Sequence, residues 1–253
     1  MPFALLSLII QIALIIHVIK TGRDWWWILL LLFLPGIGAI IYVAIELVPS
    51  LRGNMTARRA ARRVTNLVDP GRNLRQQALE YERSNSVDSA TRLANELTKE
   101  GKPDEAIDVC EKARVGIFES DPTILLALAN ARFTKNEFAQ TVETLDLLRE
   151  KNPDFHSPDG HLLYARALEA DGATDRALEE FEALARYYPG VEARLRLAQL
   201  NKRLGKTAAA EDGFRRILED ARFAPGHFRK AQKEWIDIAR RELENVGSPD
   251  GEA

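Results

Sequence analysis

A chain of 253 residues has room for one large domain or two small ones, and its net charge of −2 hides an uneven distribution. Residues 1–50 carry only Lys20, Arg23, Asp24 and Glu46 and balance to zero; residues 51–75 hold seven Arg against one Asp, which leaves −8 on residues 76–253. A neutral apolar head, a basic neck and an acidic body are three physically different segments, and the acidic body argues against nucleic acid as a partner. The single Cys110 excludes an intramolecular disulfide and any Cys-rich metal site; its place in the pattern below is that of a small core hydrophobe.

The head contains two apolar runs. Residues 3–19 are interrupted only by Ser7, Gln11 and His17, and as a helix they span about 26 Å at ~1.5 Å per residue, just enough to cross a bilayer. Residues 25–48 would span about 36 Å at the same rise and can cross with tilt or with a kink at Pro35-Gly36. Ser7 and Gln11, one turn apart, are expected to bond each other or the partner helix, and His17 to lie near the interface beside Lys20. A cleaved signal peptide is not expected: only Met1-Pro2 precede the first run, and no small-x-small site follows it. The triplet Trp25-Trp26-Trp27 suits the aromatic belt at headgroup level.

The order of apolar helix, charged turn, aromatic start and then Leu34-Pro35-Gly36-Ile37-Gly38-Ala39-Ile40-Ile41-Tyr42 resembles the N-terminal hairpin that precedes phospholipase D-type nuclease and cardiolipin synthase domains. The resemblance covers about the first 50 residues. Those enzymes use a His-x-Lys-x4-Asp motif, and none of His17, His156, His161 or His227 has Lys two residues later. The resemblance therefore implies an anchor, with lipid contacts at most, and no catalytic half.

In the neck, Arg52, Arg58, Arg59, Arg62 and Arg63 follow the second run closely. The positive-inside rule places them in the cytoplasm, and two crossings return the N-terminus to the same side of a bacterial inner membrane. Arg58, Arg59, Arg62 and Arg63 fall on one side of a helix, where they either lie on anionic lipid headgroups or serve only as topology signal. Breaks at Asp69-Pro70-Gly71 and Ser84-Asn85-Ser86 frame a short polar helix over residues 74–83, and residues 51–85 read as a linker.

The body repeats. Ala94, Ala129, Ala165 and Ala198 are spaced by 35, 36 and 33 residues. The same three offsets recur in the turn residues Gly101, Asn136, Gly172 and Gly205, in the small residues Ala106, Thr141, Ala177 and Ala210, and in Cys110, Leu145, Phe181 and Phe214. Unrelated amphipathic helices would drift independently, so the agreement predicts four helix pairs. Arg132 and Asn201 depart from the pattern where the other pairs carry Leu97 and Leu168, and residues 115–120 lengthen the first repeat. Small mid-helix residue, helix-ending Gly, second small residue, aromatic and terminal Pro189 together resemble the tetratricopeptide repeat. Phe228 to Leu243, with Trp235, Ile236, Ile238 and Ala239, is predicted to cap the last pair, and residues 246–253 to be disordered.

The expected fold is all-α: a transmembrane hairpin over 1–50, a linker over 51–85, a tetratricopeptide-like solenoid of about four pairs with its cap over 86–245, and a tail. No Gly-rich phosphate loop, zinc motif or nucleophile elbow occurs, so no enzyme, cofactor, metal or small-molecule substrate is expected. Carboxylate pairs such as Glu179-Glu180 read as solvated helix faces. The repeat resemblance implies a groove lined by the first helices. The residue after each mid-helix Ala then reads Asn95, Asn130, Arg166 and Gln199, either a strip for peptide recognition or ordinary solvated side chains. The carboxylate clamp of chaperone-tail binders is not matched, since Thr91 with Asn95, then Ala127, then Asp159 and Leu163 stand at its places. These features imply a membrane-anchored scaffold for a protein or peptide partner. The alternative is a noncatalytic subunit for a membrane enzyme of phospholipid or envelope-lipid metabolism.

Overall fold

The structure, a computed structural model, describes residues 71–247 and, before them, residues 14–16, 18 and 30. The chain divides after Arg72 into two units, and the repeats lie in the second. Of the two apolar runs, only those five early residues are described, all helical; the Trp triplet, Arg58, Arg59, Arg62 and Arg63 lie outside the described residues. Among the residues described, no helix is long and apolar enough to cross a membrane, and none forms a strand.

Eleven helices follow in order among the described residues: α1 Arg72–Ser84, α2 Val87–Lys99, α3 Pro103–Ala113, α4 Pro122–Thr134, α5 Phe138–Lys151, α6 Pro158–Ala170, α7 Thr174–Tyr187, α8 Glu192–Arg203, α9 Thr207–Phe223, α10 Gly226–Ala231 and α11 Lys233–Gly247. The first helix of a pair starts on a side-chain cap in three of the four repeats. Ser86 and Ser89 bond each other's backbone N–H in a capping box. Asp121 accepts from Thr123 and Ile124, and Ser157 from Gly160, each just before a Pro in the first turn.

The second helices have no such cap, because a shared turn delivers the chain to them. Gly101, Asn136, Gly172 and Gly205 all adopt positive φ, between 65° and 84°. In each turn the N–H two residues beyond the cap returns to the carbonyl five residues back: Lys102 to Leu97, Glu137 to Arg132, Ala173 to Leu168 and Lys206 to Asn201, each at 2.9 Å. This is the left-handed helix stop in which Gly, or less often Asn, carries little Cβ penalty. The departures in the pattern keep this turn: Arg132 and Asn201 supply the same backbone carbonyl as Leu97 and Leu168, and where those two leucines are buried the Arg132 guanidinium bonds Thr144 at 2.7 Å and Glu111 at 2.9 Å.

All twelve pattern residues from the two small positions and the bulky one are buried. All of them but Thr141 fall into three cores. The first gathers Leu93, Ala94, Cys110 and Leu128, the middle one Leu145, Leu168, Phe181 and Leu184, and the last Leu195, Phe214, Ile217 and Ile236. Helices α4 and α8 each contribute to two: Ile124 and Leu128 face back while Leu125 and Ala129 face forward, and Leu200 and Ala193 face back while Leu195 and Ala198 face forward. Close approach of α8 and α9 depends on Gly213, where a Cβ would come within 2.9 Å of the Ala198 methyl.

Three boundaries differ from expectation. Leu74, Ala78 and Tyr81 of α1 pack against the first core, so the helix predicted within the linker lies against the repeats. The capping segment is two helices, broken at Gln232, whose Oε1 accepts the Val191 N–H at 2.9 Å. That bond gives the N-terminus of α8 the cap its own sequence lacks, and α11 then seals the last core through Ile236 and Ala239. Finally, α11 continues to Gly247, beyond the predicted start of the tail.

Candidate functional site

Asn95, Asn130, Arg166 and Gln199 stand on α2, α4, α6 and α8, the first helices of the pairs. The structure treats them differently. Asn130 donates to the Leu126 carbonyl within its own helix, at 3.0 Å. Gln199 is engaged by the cap, its Nε2 donating to Glu242 at 3.3 Å, and Lys202 holds the same carboxylate at 2.8 Å. These contacts keep the Glu242 carboxyl below its ordinary range, the Lys202 bond first among the causes.

Arg166 is the member set in a concavity. Its guanidinium lies 4.8 Å from the Phe133 ring centroid, and its Nε, 3.8 Å from Glu192, is buried with no hydrogen bond among the described residues. Burial, then the neighbouring Arg196, lowers its pKa from the ordinary arginine value, and a guanidinium remains charged at neutral pH. Around it Phe133, Phe138, Glu169, Arg196 and Arg203 line a space of about 350 Å³. Arg196 bonds Glu192 at 2.8 Å and stacks 6.0 Å from Trp235, while Arg203 pairs with Glu169. Three guanidiniums thus share two carboxylates over an aromatic floor. The repeat pattern points to the residue after each Ala, but the groove also takes residues one turn further along, Phe133 and Glu169, which the ladder omits.

A second concavity of about 470 Å³ opens where α5 turns into α6, with Leu126, Leu145, Leu148 and Phe155 as its apolar wall. At its mouth His161 Nε2 lies 2.5 Å from Glu180, and Nδ1 lies 2.5 Å from the Tyr187 hydroxyl. Both ring nitrogens are satisfied when Nε2–H donates to the carboxylate and the Tyr187 hydroxyl donates to Nδ1. Arg149 bonds the other Glu180 oxygen at 2.9 Å. Glu180 is therefore no solvated surface residue but a half-buried link between α5, α6 and α7. The His161 bond is the largest influence on it; with that from Arg149 it outweighs burial and lowers the carboxyl pKa. Close by, the Tyr164 hydroxyl donates to Asp146 at 2.5 Å and receives Arg176.

Cys110 is fully buried, and burial, with the adjacent Glu111, pushes its thiol up to about 12. Among the described residues, no group of three His, Cys, Asp or Glu side chains is placed to hold a metal ion.

This architecture of stacked helix pairs is that of a tetratricopeptide-repeat-like solenoid, and comparison with known families agrees. Models of the tetratricopeptide repeat match residues 97–167 in one version and residues 159–190 and 192–221 in another. A crystal structure of a thermophilic tetratricopeptide-repeat protein from Thermus thermophilus is similar at 17% identity over 73% of this chain and 95% of that one, with a TM-score of 0.50. The nearly identical tetratricopeptide-like repeats of a Podosopora anserina putative kinesin light chain, in a single-substitution variant, are similar at 17% identity over 63% and 90%, with a TM-score of 0.51. Likeness at that identity establishes the fold alone. No curated protein matches the chain. None of the family matches reaches residues 1–50, where the phospholipase D-type resemblance lies.

Proposed function

We propose that the protein is a membrane-anchored scaffold whose repeats bind an acidic segment of a protein partner at the cytoplasmic face. The observation that carries the binding half is Arg166: a charged guanidinium over Phe133, flanked by Arg196 and Arg203, with an Nε that has no hydrogen-bond partner among the described residues. A carboxylate laid in the groove would give the Arg166, Arg196 and Arg203 guanidiniums a further charge-assisted partner, and the aromatic floor would take an apolar neighbour. Support for the anchor comes from the two apolar runs of residues 1–50 and the Arg excess after them. The hairpin resemblance favours, as the second reading, a regulatory subunit of a membrane enzyme of phospholipid or envelope-lipid metabolism.

The test uses the full chain in mild detergent, probed with fluorescent peptides pairing Glu or Asp with aromatic residues. Arg166→Gln combined with Arg196→Gln should weaken binding by about tenfold or more, as loss of charge-assisted bonds predicts. Equal affinity in the variant would remove the groove as the binding site. Reporter fusions after Arg63 and after Ala253 should both register as cytoplasmic, and a periplasmic signal from either would overturn the orientation. Deleting residues 1–50 and asking which partners are retained separates the scaffold from the regulatory subunit.

A further inference from the structure

The edge of the solenoid at which the second helices end is unlike the rest of its surface. Seven large apolar side chains are exposed among the described residues after Arg72, and five of them, Val115, Ile117, Phe118, Tyr187 and Phe223, lie at or just beyond the ends of α3, α7 and α9. Ile117 is 92% exposed and Phe223 88%. The Val115 to Phe118 turn is firmly built: Gly116 takes φ of +60°, Arg114 Nε donates to the Glu119 carbonyl at 3.0 Å, and Asn152 of the next repeat donates to the Ser120 carbonyl at 2.9 Å. Each apolar tip follows an exposed cation in the last turn of its helix: Lys112 before Val115, Arg186 before Tyr187, Arg222 before Phe223. The acids beside two of these cations are occupied elsewhere, Glu111 by Arg114 and Arg132, and Asp220 by Arg194.

We propose that this edge rests in the headgroup layer of an anionic lipid bilayer, with Ile117, Phe118, Tyr187 and Phe223 inserted and Lys112, Arg186 and Arg222 on lipid phosphates. The inference rests on the anchored reading above, which brings the repeats to a membrane. The shape of the row favours lipid over a protein partner. Side chains that stand proud one at a time need a soft phase that closes round each of them, whereas a protein of interior-like packing density would require one continuous complementary patch. Aromatic and aliphatic tips beside Lys and Arg are also the composition of surfaces that lie in the interface plane. Contact along this edge would leave the Arg166 groove, on the faces of the first helices, open to its partner.

The test reconstitutes the full chain into vesicles of phosphatidylcholine and phosphatidylglycerol, with an environment-sensitive fluorophore on Ile117→Cys or Phe223→Cys. Cys110, buried with an unreactive thiol, stays unlabelled at neutral pH. Both probes should emit to the blue of their detergent-free aqueous value and be quenched by nitroxides on the lipid chains. A probe on Leu204→Cys, in the turn at the opposite edge, should keep the emission of water. Replacing Lys112, Arg186 and Arg222 by Gln, or omitting phosphatidylglycerol, should lower the quenched fraction. If the chain floats with the vesicles while the probes at 117 and 223 stay water-exposed, the anchor stands and the lipid-bound edge is overturned, leaving the row to a protein partner. Failure of the reconstituted chain to float removes both.

Discussion

The two kinds of connection in the solenoid obey different rules. Turns within a pair are alike: three residues each, one positive-φ residue, one 2.9 Å return bond to the same carbonyl position. Connections between pairs shrink along the chain, from eight residues after α3 to six, four and two after α5, α7 and α9. They also differ in structure, from a short 3₁₀ turn at Gly116–Phe118 to the Pro225 entry into α10. A turn that must present two helices at one packing angle has a single backbone solution. A connection that only has to reach the next pair does not, and it is there that the second concavity and the exposed apolar tips are found.

That contrast can be broken from its strongest side first. Phe181 is fully buried in the middle core with residues from α8, so Phe181→Ala should cost about 3–5 kcal/mol in denaturant unfolding, as large-to-small core changes do. An unchanged midpoint would mean that the pairs are not stacked. At the within-pair turns, Gly172 sits at φ +84° with nothing within 4 Å of an added Cβ. Gly172→Ala should therefore lose about 1–2 kcal/mol through backbone strain alone, while Asn136→Gly should be nearly neutral or slightly stabilising. Equal losses at both would contradict a shared left-handed stop.

Glu180 sharpens the comparison at a between-pair site. Glu180→Ala should lose about 1 kcal/mol at pH 7, because it strips His161 and Arg149 of a partner. The folded carboxyl is held below its unfolded value. Its contribution is thus complete above the ordinary glutamate range near ~4.3 and fades as pH falls through the lower folded value. The gap between wild type and variant should close on acidification; a gap that widens at low pH would contradict the lowered pKa. The smallest effect belongs to the tips: Ile117→Ser should change stability by no more than about 0.5 kcal/mol, and a larger loss would mean that this turn packs against something.

The sequence made the pairs readable because their markers are steric necessities. Small residues at Ala94, Ala129, Ala165 and Ala198 and a left-handed stop each leave a residue type at a fixed offset, and Asn136 could be recognised since it is the other residue that tolerates that stop. The groove was only half legible. Arg166 lies at the marked offset, and Arg196 with Glu192 is a local i,i+4 pair, but Arg203 reaches Glu169 on α6 and Arg196 stacks on Trp235 of α11, contacts across helices that leave no period. Gln232 is a sharper case. Its partner Val191 is 41 residues away, so nothing local announces a break in the cap helix. Glu180 reads as solvated from the sequence for a similar reason, since its two partners come from other helices. Leu197 packs with the middle core, so removing α10 and α11 should lay bare Phe214 and Ile217 but leave it covered.

Helices α4 and α8 place side chains in two cores apiece, and this has a consequence for how the molecule comes apart. In an array coupled only between neighbours, the free energy at each border decides whether segments melt singly or together. A helix that belongs to both sides makes that border expensive to open: freeing the first core strips Ile124 and Leu128 from α4 and loosens Leu125 and Ala129 of the middle one. Amide exchange in α4 and α8 should accordingly proceed only through the largest openings, at one common rate, whereas α1 and α10, each lying at an end of the array, fray on their own.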